Sequence, residues 1–229
     1  MIKAVVFDLD DTLISESEYQ RSANNAVFGH LSDLTGFPIS VVRDHSARAS
    51  LGPRTEYFQN LLPMLGLEVN QDSVSSLISF HREHTPELNW YPDVLEVVSC
   101  LKNEGAKLGI ITDGYSVVQH QKLKAVQAEK FFDVVMVSDD LGREFWKPHP
   151  RVFNETALKL GILPHEMLYV GDNPAKDFYI SKTLGVITAR VIRNDSIKAD
   201  LEYFEDVKEN FPLKNFQSVV ELFRNLKLN

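Results

Sequence analysis

Four short apolar runs in this chain are each followed by residues that can do chemistry. Asp8, Asp10, Asp11 and Thr12 follow Ala4-Val5-Val6-Phe7, and Thr112, Asp113 and Gly114 follow Leu108-Gly109-Ile110-Ile111. Lys147 and Pro148 lie beyond Val134-Val135-Met136-Val137, and Gly171, Asp172, Asn173 and Asp177 follow Leu168-Tyr169-Val170. Singly, each group has a plainer explanation: turn and cap chemistry for the Asp, Thr and Gly residues, a solvated surface for the lysine. Their recurrence after successive runs is what points to a site. If Asp8, Asp10 and Asp172 converge, carboxylates about 4 Å apart repel by about 4 kcal/mol at an effective dielectric of about 20. Such a cluster takes up protons or binds a cation. Every candidate ligand is an oxygen, which suits a hard ion, and Mg²⁺ in particular pairs a few carboxylates with phosphate. Lys147 adds a second positive centre and Thr112 a hydroxyl donor. Backbone N–H groups around Asp113 and Gly114, at a helix N-terminus, favour an anion. Carboxylates, cation, lysine and amides together suit a phosphoryl group.

The apolar runs have the continuous character of strands buried on both faces. From Pro92 onward they alternate with helical patterns: Val94, Val97, Val98 and Leu101; Tyr115 to Ala128; a helix opened by Pro150 and closed by Gly161; Pro174 to Leu184; and a terminal helix marked by Val219, Leu222, Phe223 and Leu226. A fifth strand is expected at Val186-Ile187-Thr188-Ala189. Alternation of this kind implies an α/β fold, a mostly parallel sheet with helices on both faces, and ligands in such sheets bind outside the carboxyl ends of the strands. Between about Ser15 and Leu88 no comparable strand occurs. That stretch reads as amphipathic helices punctuated by Gly36-Phe37-Pro38, Gly52-Pro53 and Gly66, an insertion forming a helical cap domain. The expected division is a core of residues 1–15 and 90–229 and a cap of residues 16–89.

Composition narrows the function classes. A net charge of −8 argues against a general nucleic-acid binder, which needs a basic stripe. No apolar run approaches the length of a membrane span. The first apolar stretch meets Asp8 too early for a signal peptide, so a cytoplasmic protein is expected. The single cysteine, Cys100, excludes an intramolecular disulfide and any multi-cysteine metal site, and its apolar neighbours predict a buried, inert thiol.

These residues resemble the four motifs of the haloacid dehalogenase superfamily of phosphohydrolases: Phe7-Asp8-Leu9-Asp10-Asp11-Thr12-Leu13, Ile110-Ile111-Thr112-Asp113-Gly114, Lys147-Pro148-His149-Pro150-Arg151-Val152-Phe153, and Val170-Gly171-Asp172-Asn173-Pro174-Ala175-Lys176-Asp177. The resemblance implies a Rossmann-like core and a Mg²⁺-dependent phosphatase acting on a small phosphorylated metabolite. Asp8 would be the nucleophile and form an aspartyl-phosphate. Asp10 would protonate the leaving oxygen and then activate water. The ion would be held by Asp8, the Asp10 backbone carbonyl and Asp172, with Asp177 and Asn173 just behind. Thr112, Lys147 and the Asp113–Gly114 backbone would hold the phosphoryl oxygens. Because Asp10 must start protonated, a raised pKa is expected for it.

Other activities fit less well. The dehalogenases of the superfamily lack a carboxylate at the position of Asp10 and need no Mg²⁺. Its sugar-phosphate mutases keep both carboxylates but use a cap Lys or His, and here no lysine occurs between Lys3 and Lys102. Arginine cannot replace it as an acid or base. His45, His81 and His84 keep the mutase alternative open. A phospho-accepting signalling module, a different class, is about half this length and carries no cap. Within the cap, Arg21, Arg43, Arg48, Arg54 and Arg82 read chiefly as a solvated face. Arg48 and Arg54, flanking the Gly52-Pro53 break, are the better candidates for gripping a substrate anion, and Glu16 and Tyr19 for lining the entrance.

Overall fold

The computed structural model describes residues 1–228 other than Ile197 and Ala199; of Arg54 it describes the backbone alone. It contains two compact units, Met1–Glu18 with Glu87–Asn229, and Tyr19–Pro86.

The first unit is built on a six-stranded, all-parallel sheet. Its strands are β1 (Ala4–Phe7), β2 (Lys107–Thr112), β3 (Val134–Val137), β4 (Met167–Gly171), β5 (Ile187–Arg190) and β6 (Phe211–Pro212), in the order β3-β2-β1-β4-β5-β6. β1 is completely buried and alternates its side chains between the two faces. Ala4 and Val6 pack with Val152, Phe153, Ala157, Leu160 and Ile180, while Phe7 on the opposite face meets Phe132 and Phe216 with ring centroids 6.2 and 5.6 Å apart. An all-parallel sheet buried in this way has no use for polar alternation, which explains the uninterrupted apolar runs.

The helices of this unit are α5 (Val94–Asn103), α6 (Ser116–Ala125), α7 (Arg151–Leu160), α8 (Ile180–Leu184) and α9 (Ser218–Leu228). Helices α7 and α8 end on Gly161 and Gly185, both left-handed at φ 63° and 67°, the ordinary glycine stop. Residues Pro174–Tyr179, expected to be helical, form turns instead, and α8 is only five residues long. The reason is local: Asn173 accepts from the Ala175 N–H and Asp177 turns back to accept from the Asn173 N–H, so these side chains compete with a helix for the backbone. Cys100 is half-buried rather than buried, because Val94, Val97, Val98 and Leu101 take the inner face of α5.

The second unit is entirely helical. Nearly all of α1 (Glu16–Thr35), together with α2 (Ile39–Ala49), α3 (Tyr57–Met64) and α4 (Gln71–Glu83), surrounds Val27, Leu31, Val42, Leu61, Leu62 and Leu77. The breaks fall at the glycine and proline clusters, and Asn70 and Ser73 form a reciprocal capping box at the start of α4. Among the described residues no helix is long and apolar enough to cross a membrane.

Candidate active site

The strand order reverses between β1 and β4, and this switch point is where an open parallel sheet offers a crevice. Asp8 leaves β1 there, its N–H donating to the Val170 carbonyl at 2.8 Å, and Asp172 leaves β4 beside it. Oxygens of Asp8, Asp172 and Asp177 all lie within 4.8 Å of one another. Lys147, on the long loop after β3, spends all three ammonium hydrogens on the cluster. It donates to Asp8 Oδ1 at 2.5 Å, to Asp177 Oδ1 at 2.8 Å and to the Tyr169 hydroxyl at 2.9 Å. The Lys147–Pro148 peptide is cis. Two neighbours seat these groups. Asp113 Oδ1 accepts from the Lys147 N–H and from the Ser138 hydroxyl, tying the second motif to the third. Gly171 leaves room for Asp177, whose Oδ2 would stand 2.3 Å from any Cβ at that position.

Asp10 and Asp11 behave differently from each other. Asp11 sits at a positive φ of 59°, tolerable for an aspartate, and its Oδ1 accepts from the Glu16 N–H at the start of α1. The Asp10 carboxylate turns to α6: Lys122 Nζ donates to Oδ1 at 2.8 Å and Gln119 Nε2 to Oδ2 at 2.9 Å. Gln119 also donates to the Thr112 hydroxyl. Lys122 also donates to Glu16 Oε2 at 2.6 Å, so the Glu16 carboxylate is drawn into this network. Tyr19 is buried in the helical unit with its ring 5.3 Å from that of His84, and Arg48 is exposed in the last turn of α2. The Arg54 side chain lies outside what is described.

Three side chains of this region have no counterpart in the sequence reading besides Lys122 and Gln119. Tyr169, inside β4, offers its hydroxyl to Asp177 at 3.3 Å. After β5, Arg193 donates to the Thr12 carbonyl and, through one nitrogen, to both oxygens of Asp93. Lys198 lies 3.3 Å from the Asp10 carbonyl oxygen, 3.3 Å from Asp11 Oδ2 and 3.6 Å from Asp172 Oδ2.

Burial governs the electrostatics. It pushes the Asp8 carboxyl up to about 6 against the pull of Lys147, with Asp177 adding to the rise. It pushes Asp172 up to about 8 against Lys198, with Asp8 and Asp177 again adding. Burial works the other way on Lys147, yet Asp177 and Asp8 hold it well above the usual lysine range. Asp10 corrects the sequence expectation of a raised value. Burial raises it, but Lys122, by charge and hydrogen bond, and then Lys198 and Gln119 bring it below the ordinary carboxylate value.

The cluster fits a divalent cation. Among the described residues the carboxyl groups of Asp8, Asp11, Asp172 and Asp177 face two ammonium groups, those of Lys147 and Lys198, so with all four ionised the buried space holds an excess of two negative charges. Asp172 Oδ1 is buried without a hydrogen-bond partner among the described residues. Lys198 reaches the Asp10 carbonyl and Asp172, two of the oxygens expected to hold an ion, and so stands in for one. The donors are all oxygens, the preference of a hard ion.

The model of the haloacid dehalogenase-like hydrolases matches residues 5–191, from β1 past the end of β5. The chain belongs to that family. Among its hydrolases, this one groups with phosphatases. It is 30% identical to a glyceraldehyde 3-phosphate phosphatase of Methanocaldococcus jannaschii, over 99% of each chain, and 30% identical to the pyrophosphatase PpaX of Bacillus cereus, over 98% of each. A solved phosphatase of the family from Thermococcus onnurineus is 26% identical, covers 98% of both chains and superposes with a TM-score of 0.60. A 2-haloacid dehalogenase of Pseudomonas syringae, 19% identical with a TM-score of 0.63 over 99% of this chain and 100% of that one, shares the fold.

Proposed function

We propose that this hydrolase removes phosphate from a small phosphorylated metabolite by way of a phosphoryl group carried on Asp8. The observation that carries the reading is the grip of Lys147 on Asp8 and Asp177 at the switch point. A carboxylate held by one oxygen, buried and beside a fixed ammonium, is oriented for in-line attack with its other oxygen, and phosphoryl transfer asks mainly for positioning and charge neutralisation. In the first step Asp8 Oδ2 bonds to phosphorus and the bond to the leaving oxygen breaks; that oxygen takes its proton from Asp10 in the fraction of the protein whose Asp10 carries one, because Lys122 and Gln119 favour the ionised form. In the second, Asp10 takes a proton from water, the water oxygen bonds to phosphorus, and Asp8 is released as a carboxylate. Thr112 accepts from Gln119, so its own hydroxyl hydrogen remains to donate to a phosphoryl oxygen. Lys147 and the backbone N–H groups of Asp113 and Gly114 serve the same charge.

Asp8, the Asp10 carbonyl and Asp172 would hold Mg²⁺, with Asp177 and Asn173 behind them. When bound, the ion would neutralise charge on the phosphoryl oxygens. The inserted helices, residues 16–89, are assigned the role of cap and of substrate selection, with Glu16, Tyr19, Arg48 and Arg54 as its first candidates. The assignment rests on their place in the chain, directly after the first motif.

The names of the relatives direct the choice of substrates. Turnover of a panel of phosphorylated metabolites, including glyceraldehyde 3-phosphate and pyrophosphate, should require a divalent cation and vanish in Asp8→Asn. Undiminished turnover by Asp8→Asn would refute the reading.

A further inference from the structure

The carboxylate of Asp10 is held on both oxygens by one face of one helix. Gln119 and Lys122 lie three residues apart on α6 and therefore project from the same side. One takes Oδ2 at 2.9 Å and the other Oδ1 at 2.8 Å. Both side chains are buried, with Gln119 1% and Lys122 2% exposed. Stability alone does not explain this arrangement, because apolar residues of similar volume commonly replace a buried ion pair at no loss. The approach is also accommodated from a second place. Gly114 has a φ of 142°, and a Cβ there would press on the Gln119 side chain at 3.1 Å. The loop that follows β2 thus carries a glycine where Gln119 needs space.

A carboxylate offers about four lone-pair directions. With one lone pair of each oxygen engaged from α6, the plane of the Asp10 carboxylate is fixed and the remaining lone pairs point in set directions. We propose that Lys122 and Gln119 are positioning residues that aim Asp10 at the hydrolytic water, and so govern release of phosphate from Asp8 more than its transfer to Asp8. This rests on the reading of Asp8 as nucleophile and Asp10 as acid and base. The dependence on the second step follows from chemistry. With an aryl phosphate the leaving oxygen departs without a proton donor, so transfer to Asp8 proceeds whether or not Asp10 is well aimed. Hydrolysis of the acyl phosphate still needs a base to take the proton of water as its oxygen bonds to phosphorus and the bond to Asp8 breaks.

The test uses the full chain with Mg²⁺ and p-nitrophenyl phosphate, acid-quenched in the steady state and weighed intact by mass spectrometry. Lys122→Met and Gln119→Leu should each lower kcat and KM together, by about 10- to 100-fold for a misplaced base, leaving kcat/KM nearly unchanged. Both should accumulate protein heavier by one phosphoryl group, as Asp10→Asn should. If Asp10→Asn accumulates the adduct and the folded Lys122→Met and Gln119→Leu proteins do not, the positioning role is overturned. Either variant suffices should the other fail to fold. If no variant carries the adduct, Asp10→Asn included, the nucleophile assignment itself falls, and this inference with it.

Discussion

Replacing Lys147 by methionine removes the charge and keeps most of the stem. The Lys147 ammonium lies 2.5 Å from Asp8 and 2.8 Å from Asp177, while the oxygens of Asp8, Asp172 and Asp177 stand within 4.8 Å of one another. At an effective dielectric of about 20, each lysine–aspartate contact is worth roughly 6 kcal/mol of gross attraction, and each close pair of carboxylates costs roughly 3 kcal/mol. Desolvating the lysine takes back much of that attraction, and breaking one side of a buried pair costs about 3–5 kcal/mol net. Lys147→Met should therefore lose about 3–5 kcal/mol of stability at pH 8.5 without metal. At pH 5 the loss should shrink to about 1 kcal/mol, because the proton can replace the ammonium. Asp8 already stands near 6 with the lysine present, and without it moves higher. Urea unfolding of wild type and variant at both pH values, in EDTA, measures this directly. An equal loss at pH 5 and 8.5 would mean a packing defect and would refute the electrostatic account.

Three other outcomes follow from the same site. Because the folded Asp8 and Asp172 carboxyls are raised from 3.8 to about 6 and about 8, the folded metal-free protein binds more protons than the unfolded chain across that window. Its stability should fall as pH rises from about 4 to about 8, and Mg²⁺ should remove most of the fall; a flat pH profile of unfolding in EDTA would contradict the shifts. Lys198→Met should bind Mg²⁺ about tenfold more tightly by calorimetry, a gain of about 1.4 kcal/mol, since the competing ammonium is gone; weaker binding would show that Lys198 assists the ion. Gly171→Ala should destabilise by about 1–3 kcal/mol in thermal unfolding, because its Cβ would fall 2.3 Å from Asp177 Oδ2 in a carboxylate already fixed by Lys147 and Asn173.

What could be read in advance divides along a physical line. β1, β2 and β4 announce themselves because a strand buried on both faces needs a nearly uninterrupted apolar run, and Asp8, Thr112 and Asp172 stand out because they come at the ends of such runs. β6 escapes notice because two residues carry no periodicity. Lys122 and Gln119 escape because a lysine and a glutamine on a helix ordinarily face water; the one available signal was their spacing on the helix that begins just after Gly114. Arg193 and Lys198 reach residues far earlier in the chain from the stretch after β5, contacts that no local pattern encodes. The expected rise in the Asp10 pKa failed for the same reason, since it followed from the proton a leaving-group acid must carry and not from the cation that faces Asp10.

The place of β1 in the sheet has a consequence for how the molecule is made. It is a central strand, yet its neighbours enter the chain roughly a hundred residues later at Lys107 and later still at Met167. Until then its backbone donors and acceptors have no ladder to join, while residues 19–86 hold a complete helical core of their own. Pairing between such distant segments is slow, and an unpaired apolar strand is prone to aggregate. Synthesis therefore brings Asp8 out well before the strands that flank it, so a nascent chain holds this carboxylate long before its surroundings exist.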